Sequence, residues 1–236
     1  VFKITGGYAA TLASLYWNVN TFDTKPGTTT KLGGEVRFET DAPRFAIGFT
    51  NGAPAVRIAV DGRYLSPANV FQSAGTPNWI ILDFSSVGGR KRRSVVVEAG
   101  RFGMNFAGVR CTSHDMVWAP PAHDDLRVAW ISDSIVAGSS YGPFVGGGVL
   151  HQRVGKLLGW NDCWALATGG TGYVNPGSSS FYTYGQRVPQ ALALDPDLFV
   201  LFGSTNDIGQ AGVQAAALAT LQAIRAGSRA PIIVLG

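Results

Sequence analysis

Three short apolar segments in the second half of the chain each end at small, polar or glycine residues. They span residues 128–131, 163–167 and 197–202, and they are followed by Ser-Asp-Ser, by Gly-Gly-Thr and by Gly-Ser-Thr-Asn-Asp. Short apolar runs of this kind are typical of strands that are buried on both faces of a parallel sheet. Segments with helical spacing of apolar residues separate them, so we expect strands and helices to alternate here.

The intervening helices are predicted from the same spacing. They cover residues 145–158, with Gly159 as the stop signal, then 186–194 and 210–225, and a fourth strand is predicted at 231–235. Helices placed between parallel strands cover both faces of the sheet. We therefore predict an α/β domain over residues 120–236.

The first half of the chain shows two-residue alternation instead. Strands are predicted at 35–40, 44–49, 55–60, 79–84 and 93–98, and the turn residues Asn51-Gly52 and Asp61-Gly62 separate some of them. This pattern predicts an all-β sandwich or jelly-roll domain over residues 1–119. The paired prolines of segment 117–123 predict an extended linker to the second domain.

Composition excludes several classes of protein. The formal net charge is +4 and only 14% of the 236 residues are charged, so a nucleic-acid partner is not expected. The one basic run, residues 90–93, is predicted to be a solvated hairpin tip. No apolar stretch reaches the length of about 18 residues that a membrane span needs. Cys111 and Cys163 can pair or stay free, and the scattered histidines predict neither a metal nor another cofactor.

Three residues follow the carboxyl ends of the predicted strands. Ser134 follows the first strand, Gly170 the second and Asn206 the third. Ligands of open α/β sheets bind outside the carboxyl ends of the strands, so we expect these residues to lie close together there. Two alternatives stay open, because Ser134 and Asn206 could each simply cap a helix.

The three segments resemble the sequence blocks of the SGNH (GDSL-like) hydrolases in order, spacing and context. Ser-Asp-Ser-Ile matches the Gly-Asp-Ser-Leu/Ile block, with Ser132 where glycine is usual; Gly-Gly-Thr matches the glycine block; and Gly-Ser-Thr-Asn-Asp matches the Gly-x-x-Asn-Asp block. An α/β domain of this kind after a β-sandwich resembles the two-domain carbohydrate acetyl esterases of that group.

The resemblance implies a flavodoxin-like parallel sheet and a serine esterase that removes acyl groups, most simply acetyl, from a carbohydrate. It implies that Ser134 is the nucleophile and that the oxyanion is bound by the backbone amides of Ser134 and Gly170 and by the side-chain amide of Asn206. The alternative is an inactive glycan-binding or structural protein that keeps the fold. Gly138-Ser-Ser140-Tyr-Gly142 also fits a Gly-x-Ser-x-Gly motif, but Ser140 lies well past the strand end, so we prefer Ser134. Ser139, Ser140 and Tyr141 are then candidates to line the cleft.

The general base is not found by the same matching. The SGNH enzymes take it from an Asp-x-x-His block that does not occur in this sequence. His123 precedes the first strand, His151 is predicted two turns down a helix, and His114 belongs to the β domain, so we expect none of them to reach Ser134. We expect the chain to be part of a longer one, and the Asp/His pair to come from that missing segment or from a second chain.

Overall fold

The computed structural model describes residues 2–5, 8–13, 16–20, 22–26, 28–30, 33–50, 55–66, 70–71, 78–100, 104–121, 125–138 and 150–236. Asn51-Gly52, His123 and the segment 139–149, which includes Ser139, Ser140 and Tyr141, lie outside these residues.

The described strands, in chain order, are β1 (Lys3–Thr5), β2 (Tyr8–Ala13), β3 (Tyr16–Asn20), β4 (Phe22–Lys25), β5 (Thr28–Thr30), β6 (Glu35–Thr40), β7 (Arg44–Phe49), β8 (Ala55–Val60), β9 (Arg63–Tyr64), β10 (Val70–Phe71), β11 (Asn78–Asp83), β12 (Arg93–Ala99), β13 (Asn105–Arg110), β14 (Val117–Trp118), β15 (Arg127–Ser132), β16 (Asp162–Ala167), β17 (Leu198–Phe202) and β18 (Ile232–Leu235). The helices are α1 (Ser134–Ala137), α2 (Leu150–Leu158), α3 (Tyr184–Leu192) and α4 (Val213–Gly227), and a 3₁₀ turn spans Thr205–Asp207.

The described residues form two compact units. The first contains those within 2–20 and 33–121, and the second contains those within 22–30, 125–138 and 150–236. The hairpin β4–β5 thus packs in the second unit, which corrects the prediction that residues 1–119 form one domain. Likewise, Val117-Trp118 of the predicted linker forms β14, which pairs with β6 in the first unit.

The first unit consists of two antiparallel sheets. One has the order β1-β6-β12-β8-β10, with β14 added to β6 and β9 added to β8, and the other has the order β11-β7-β13-β3-β2. One buried core lies in this unit, and it includes Phe38, Ile58, Val97 and Ile47. Alternate side chains of β6, β8 and β12 from one sheet and of β7 from the other pack in it. Successive side chains of a strand point to opposite faces, so the burial of every second residue agrees with the two-residue alternation of the sequence. The jelly-roll topology stays a prediction.

The basic run of the first unit is largely neutralised by acids. Its ion pairs are Arg90 with Asp41 and Asp115, Lys91 with Asp61, and Arg92 with Glu39. Arg93 is only 1% exposed and donates to the carbonyl oxygens of Gly89 and Lys91. The prediction of a solvated tip is therefore wrong for Arg93, which begins β12.

A four-stranded parallel sheet of order β16-β15-β17-β18 is the centre of the second unit. On one face, Ile131, Leu166 and Phe199 form a core with residues of α3 and α4. On the other face α2 packs against β16 at Gly155, where a Cβ atom would lie 2.6 Å from Cys163 Sγ. Helices thus cover both faces, as predicted. The described part of the predicted helix 145–158 begins at Leu150.

The two cysteines do not form a disulfide. Cys111 is exposed in the first unit, and Cys163 is buried in β16 beneath α2. In the part of the chain that the structure describes, no helix is both long and apolar enough to cross a bilayer.

His151 is completely buried at the start of α2. Neither of its ring nitrogens has a hydrogen-bond partner among the described residues. Burial lowers the pKa of His151 to about 3, because the imidazolium cation would lose its hydration. The folded protein therefore holds this ring neutral.

We predict that acid destabilises the second unit through His151. Below an ordinary histidine pKa of about 6.5 the unfolded chain takes up a proton that the folded chain cannot bind, so the free energy of unfolding should fall by about 1.4 kcal/mol per pH unit between about 6 and 4. Urea denaturation across this range measures the slope. His151→Leu should flatten it, whereas His114→Leu, at an exposed site, should leave it unchanged; equal slopes in His151→Leu and the parent protein would contradict this account.

Candidate active site

Three strand ends meet at the carboxyl edge of the parallel sheet. Ser132 at the end of β15 is paired in register with Ala167 of β16 and with Phe202 of β17. The residues that follow these three positions therefore leave the sheet side by side. The structure in this way brings the predicted site residues Ser134, Gly170 and Asn206 to one edge.

Ser134 is the first residue of the short helix α1 and is half-buried. The helix is capped by the preceding residue, because the Asp133 carboxylate accepts a 2.9 Å hydrogen bond from the Ile135 amide. The capping role that a serine at a strand end often has is thus filled by Asp133. The loop between β16 and α3, residues 168–183, is called the glycine loop below. It lies against Ser134, since a Cβ atom on Gly169 would be 3.5 Å from the Ser134 Cβ.

Gly170 lies in the loop after β16, with a φ of +80° and an exposed main chain. Residues with a Cβ atom rarely adopt this conformation, so the position favours glycine. A Cβ atom there would also lie 3.9 Å from the Gly177 Cα, on the returning part of the same loop. The backbone of Gly170 is therefore accessible to a ligand at the sheet edge.

Asn206 joins the other two parts of the site. Its Nδ2 donates to the Thr171 carbonyl oxygen at 2.9 Å and to Asp133 Oδ2 at 3.3 Å. Both neighbours are acceptors, so the orientation of the amide is fixed with its NH₂ group toward the site. Asn206 lies inside the 3₁₀ turn, whose N-cap residue is Ser204, so it does not have the capping role that the sequence left open.

Asp207 holds the loop that follows Gly170. Its buried carboxylate accepts hydrogen bonds from the amides of Tyr173 (2.6 Å), Val174 (3.2 Å) and Asn175 (2.9 Å). Gly172 lies so close to this carboxylate that a Cβ atom would collide with it. Asp207 therefore fixes the path of the loop.

Asp133 is buried between the strand ends. Burial raises its pKa, and the hydrogen bond from the Ile135 amide acts in the opposite direction. Burial next to Asp133 likewise raises the pKa of Tyr184, which donates to the Phe202 carbonyl oxygen at 3.1 Å. The same carbonyl accepts from Ser132 Oγ at 2.6 Å. Serine in place of the usual glycine at position 132 thus links the ends of β15 and β17.

Sequence reasoning missed Arg187 of α3, which is completely buried under this edge. Its Nη1 donates to the carbonyl oxygens of Ser132 (2.6 Å) and Leu166 (3.1 Å), and its Nη2 donates to Thr171 Oγ1 (2.6 Å) and the Tyr182 carbonyl oxygen (2.6 Å). Burial lowers its pKa to about 10, so Arg187 stays charged at neutral pH. A single arginine in an amphipathic helix gives no sequence signal of such contacts.

None of the histidines is placed beside Ser134 by the described contacts. His151 is a buried residue of α2, His114 is exposed in the first unit, and His123 lies outside the described residues. In the ranges given above, no group of three or more His, Cys, Asp or Glu side chains is arranged to hold a metal ion.

Solved structures with the same fold include several esterases. A family two carbohydrate esterase from Clostridium thermocellum in complex with cellohexaose has a TM-score of 0.72 and 17% identity, over 99% of this chain and 78% of that one. An acetyl xylan esterase from the rumen bacterium Butyrivibrio proteoclasticus has a TM-score of 0.68 and 14% identity, over 99% and 77%. A salicylyl-acyltransferase from a tetracycline biosynthetic pathway has a TM-score of 0.74 and 15% identity, over 98% and 68%.

The fold is that of the SGNH/GDSL-like hydrolases. This confirms, at the level of the fold, the resemblance that the three sequence blocks carried. No family model and no curated protein sequence matches the chain.

We predict that Asp207→Asn destabilises the second unit by about 2–4 kcal/mol, because the amide would replace an acceptor with a donor opposite backbone N–H groups. Thermal and urea unfolding measure the loss. Asp197→Asn is the matched control, since the Asp197 carboxylate accepts from one exposed amide, that of Arg127, and should cost less than about 1 kcal/mol. Equal losses in the two variants would refute the role given to Asp207.

Proposed function

We propose that this protein is a serine esterase of the SGNH type that removes acyl groups, with acetyl as the proposed group, from a carbohydrate. The observation that carries the proposal is the pair of hydrogen bonds from Asn206 Nδ2 to the Thr171 carbonyl and to Asp133. These bonds join the asparagine to Asp133, which precedes Ser134, and to Thr171, which follows Gly170. An acyl-transfer site needs a hydroxyl and preset donors in this proximity.

In the proposed reaction the Ser134 hydroxyl attacks the ester carbonyl. The carbonyl oxygen becomes an oxyanion, and the donors for it are the backbone amides of Ser134 and Gly170 and the Asn206 amide. The 3.3 Å bond to Asp133 is the longer of the two that Asn206 makes, so it is the one that we expect the oxyanion to replace. Donors held in place before the reaction need no reorganisation when charge develops.

The base that takes the serine proton stays a prediction. We propose that an Asp/His pair supplies it, from a further segment of the protein or from a second chain. A serine hydroxyl without such an acceptor is a weak nucleophile at neutral pH.

A carbohydrate substrate is supported by two kinds of observation. The neighbours in fold include an acetyl xylan esterase and an esterase bound to cellohexaose. In this chain, the loop after Gly170 carries the half-buried aromatic residues Phe181 and Tyr182 and few aliphatic ones. A tyrosine ring, which combines an apolar face with a polar hydroxyl, suits the faces of sugars.

We predict that Ser134→Ala abolishes hydrolysis of p-nitrophenyl acetate and of acetylated xylo-oligosaccharides by the complete protein. Its melting temperature should change by less than about 2 °C, because a half-buried hydroxyl is lost without a cavity. Ser140→Ala should keep most of the activity. If Ser140→Ala is the inactive variant, the nucleophile is assigned wrongly; if the parent protein binds oligosaccharides without turnover, the glycan-binding alternative is correct.

We predict that Asn206→Ala lowers kcat by about 10²–10³, the usual effect of removing one oxyanion donor. KM should change little, because the donor acts on charge that develops only in the transition state. Steady-state kinetics on p-nitrophenyl acetate separate the two constants. A rise in KM with kcat unchanged would show that Asn206 binds ground-state substrate instead.

A further inference from the structure

We propose that Arg187 is a positioning residue that sets the geometry of the oxyanion donors. The inference rests on the proposed esterase function and adds to it a residue that does not contact the substrate. Arg187 would act through the backbone on either side of the donors, by holding two strand ends and the glycine loop in one fixed arrangement.

The guanidinium divides its hydrogen bonds between the sheet and the loop. Nη1 binds the Ser132 and Leu166 carbonyls, which lie at the ends of the two strands that precede Ser134 and Gly170. Nη2 binds Thr171 Oγ1 and the Tyr182 carbonyl, which lie near the two ends of the loop. One planar group therefore sets the distance between the nucleophile strand and the glycine loop.

Thr171 connects this arrangement to two of the three proposed donors, the Gly170 amide and the Asn206 amide. It directly follows Gly170, its hydroxyl accepts from Arg187, and its carbonyl oxygen accepts from Asn206. The Thr171 hydroxyl also donates to the Thr168 carbonyl at 2.7 Å. A displacement of Thr171 would thus move the Gly170 amide and the Asn206 amide together.

Lysine cannot replace this arginine. The four hydrogens on the two Nη atoms point in fixed directions within one plane, whereas an ammonium group has three hydrogens on one atom. Arg187→Lys therefore keeps the positive charge under the site but cannot reach acceptors on both the sheet and the loop. This variant separates the effect of geometry from the effect of charge.

The test measures kcat per active site in the complete protein, with p-nitrophenyl acetate as substrate and a p-nitrophenyl organophosphate as the titrant of active serines. Since a misplacement of about 1 Å can cost about 10²-fold in rate, Arg187→Lys should lower kcat per titrated site by about 10²-fold and Thr171→Val by about 10-fold. KM should stay within about threefold in both variants, because ground-state binding uses other contacts.

Thr220→Val is the matched control for Thr171→Val. Thr220 is also buried, and its hydroxyl donates only within α4, to the Ala216 carbonyl at 2.8 Å. It should keep kcat per site within about twofold, as expected for a change away from the reacting groups. If Arg187→Lys has fewer titratable serines but full kcat per site, Arg187 only stabilises the fold and the proposal is overturned.

The esterase proposal has its own negative result, which is that the parent protein shows no turnover that depends on Ser134. In that case hydrogen exchange decides the positioning role, because it needs no activity. Faster exchange of the amides of residues 171–175 in Arg187→Lys, but not in Thr220→Val, supports the role. Unchanged exchange in Arg187→Lys overturns it.

Discussion

The structure of the carboxyl edge of the parallel sheet depends on which groups donate hydrogen bonds to the last backbone carbonyls of its strands. Strands that diverge into separate loops leave these buried oxygens without the partners that the sheet provides elsewhere, and an unpaired buried carbonyl is costly. Here Arg187 donates to Ser132 and Leu166, while Ser132 and Tyr184 both donate to Phe202. Side chains thus complete the hydrogen bonding of the sheet at the edge that carries the residues proposed for catalysis.

Helix α3 supplies most of these donors. Tyr184 and Arg187 are three residues apart and therefore share one face of the helix, the face turned to the strand ends. Gln190 of α3 also holds the hairpin β4–β5, because it receives a hydrogen bond from the Asp23 amide and donates one to the Asp23 carbonyl. The Tyr182 N–H donates to the Thr24 carbonyl, and the Tyr182 carbonyl accepts from Arg187, so the main chain of Tyr182 is bound by both the hairpin and α3.

The sequence predicted those features that depend on local patterns. Apolar runs ending in small residues identified β15, β16 and β17, and the residue types after them identified Ser134, Gly170 and Asn206 as neighbours at one edge. Asp61-Gly62 was predicted as a turn from its tolerance of positive φ, and both residues have it, at 51° and 76°.

The features that the sequence missed depend on contacts between distant segments. Nothing local in 22–30 distinguishes a hairpin of the second unit from another strand of the first half. The burial of Arg187 depends on partners at 132, 166 and 171, and the predicted start of α3 at residue 186 left Tyr184 outside the helix. The strand Asn105–Arg110 was also missed. Its pairing register with β7 shifts between Phe106 and Gly108, which interrupts the alternation by which strands are recognised.

The order of Asn206 and Asp207 follows from what each side chain must satisfy. Position 206 faces two acceptors, a backbone carbonyl and the Asp133 carboxylate, so it needs a group that donates. Position 207 faces three backbone amides, so it needs a group that accepts several hydrogen bonds at once. A carboxylate at 206 would place a second negative charge against buried Asp133, and an amide at 207 would turn a donor toward N–H groups. Exchanging the two residues would therefore remove the hydrogen bonds of both positions, although the amino-acid composition would stay the same.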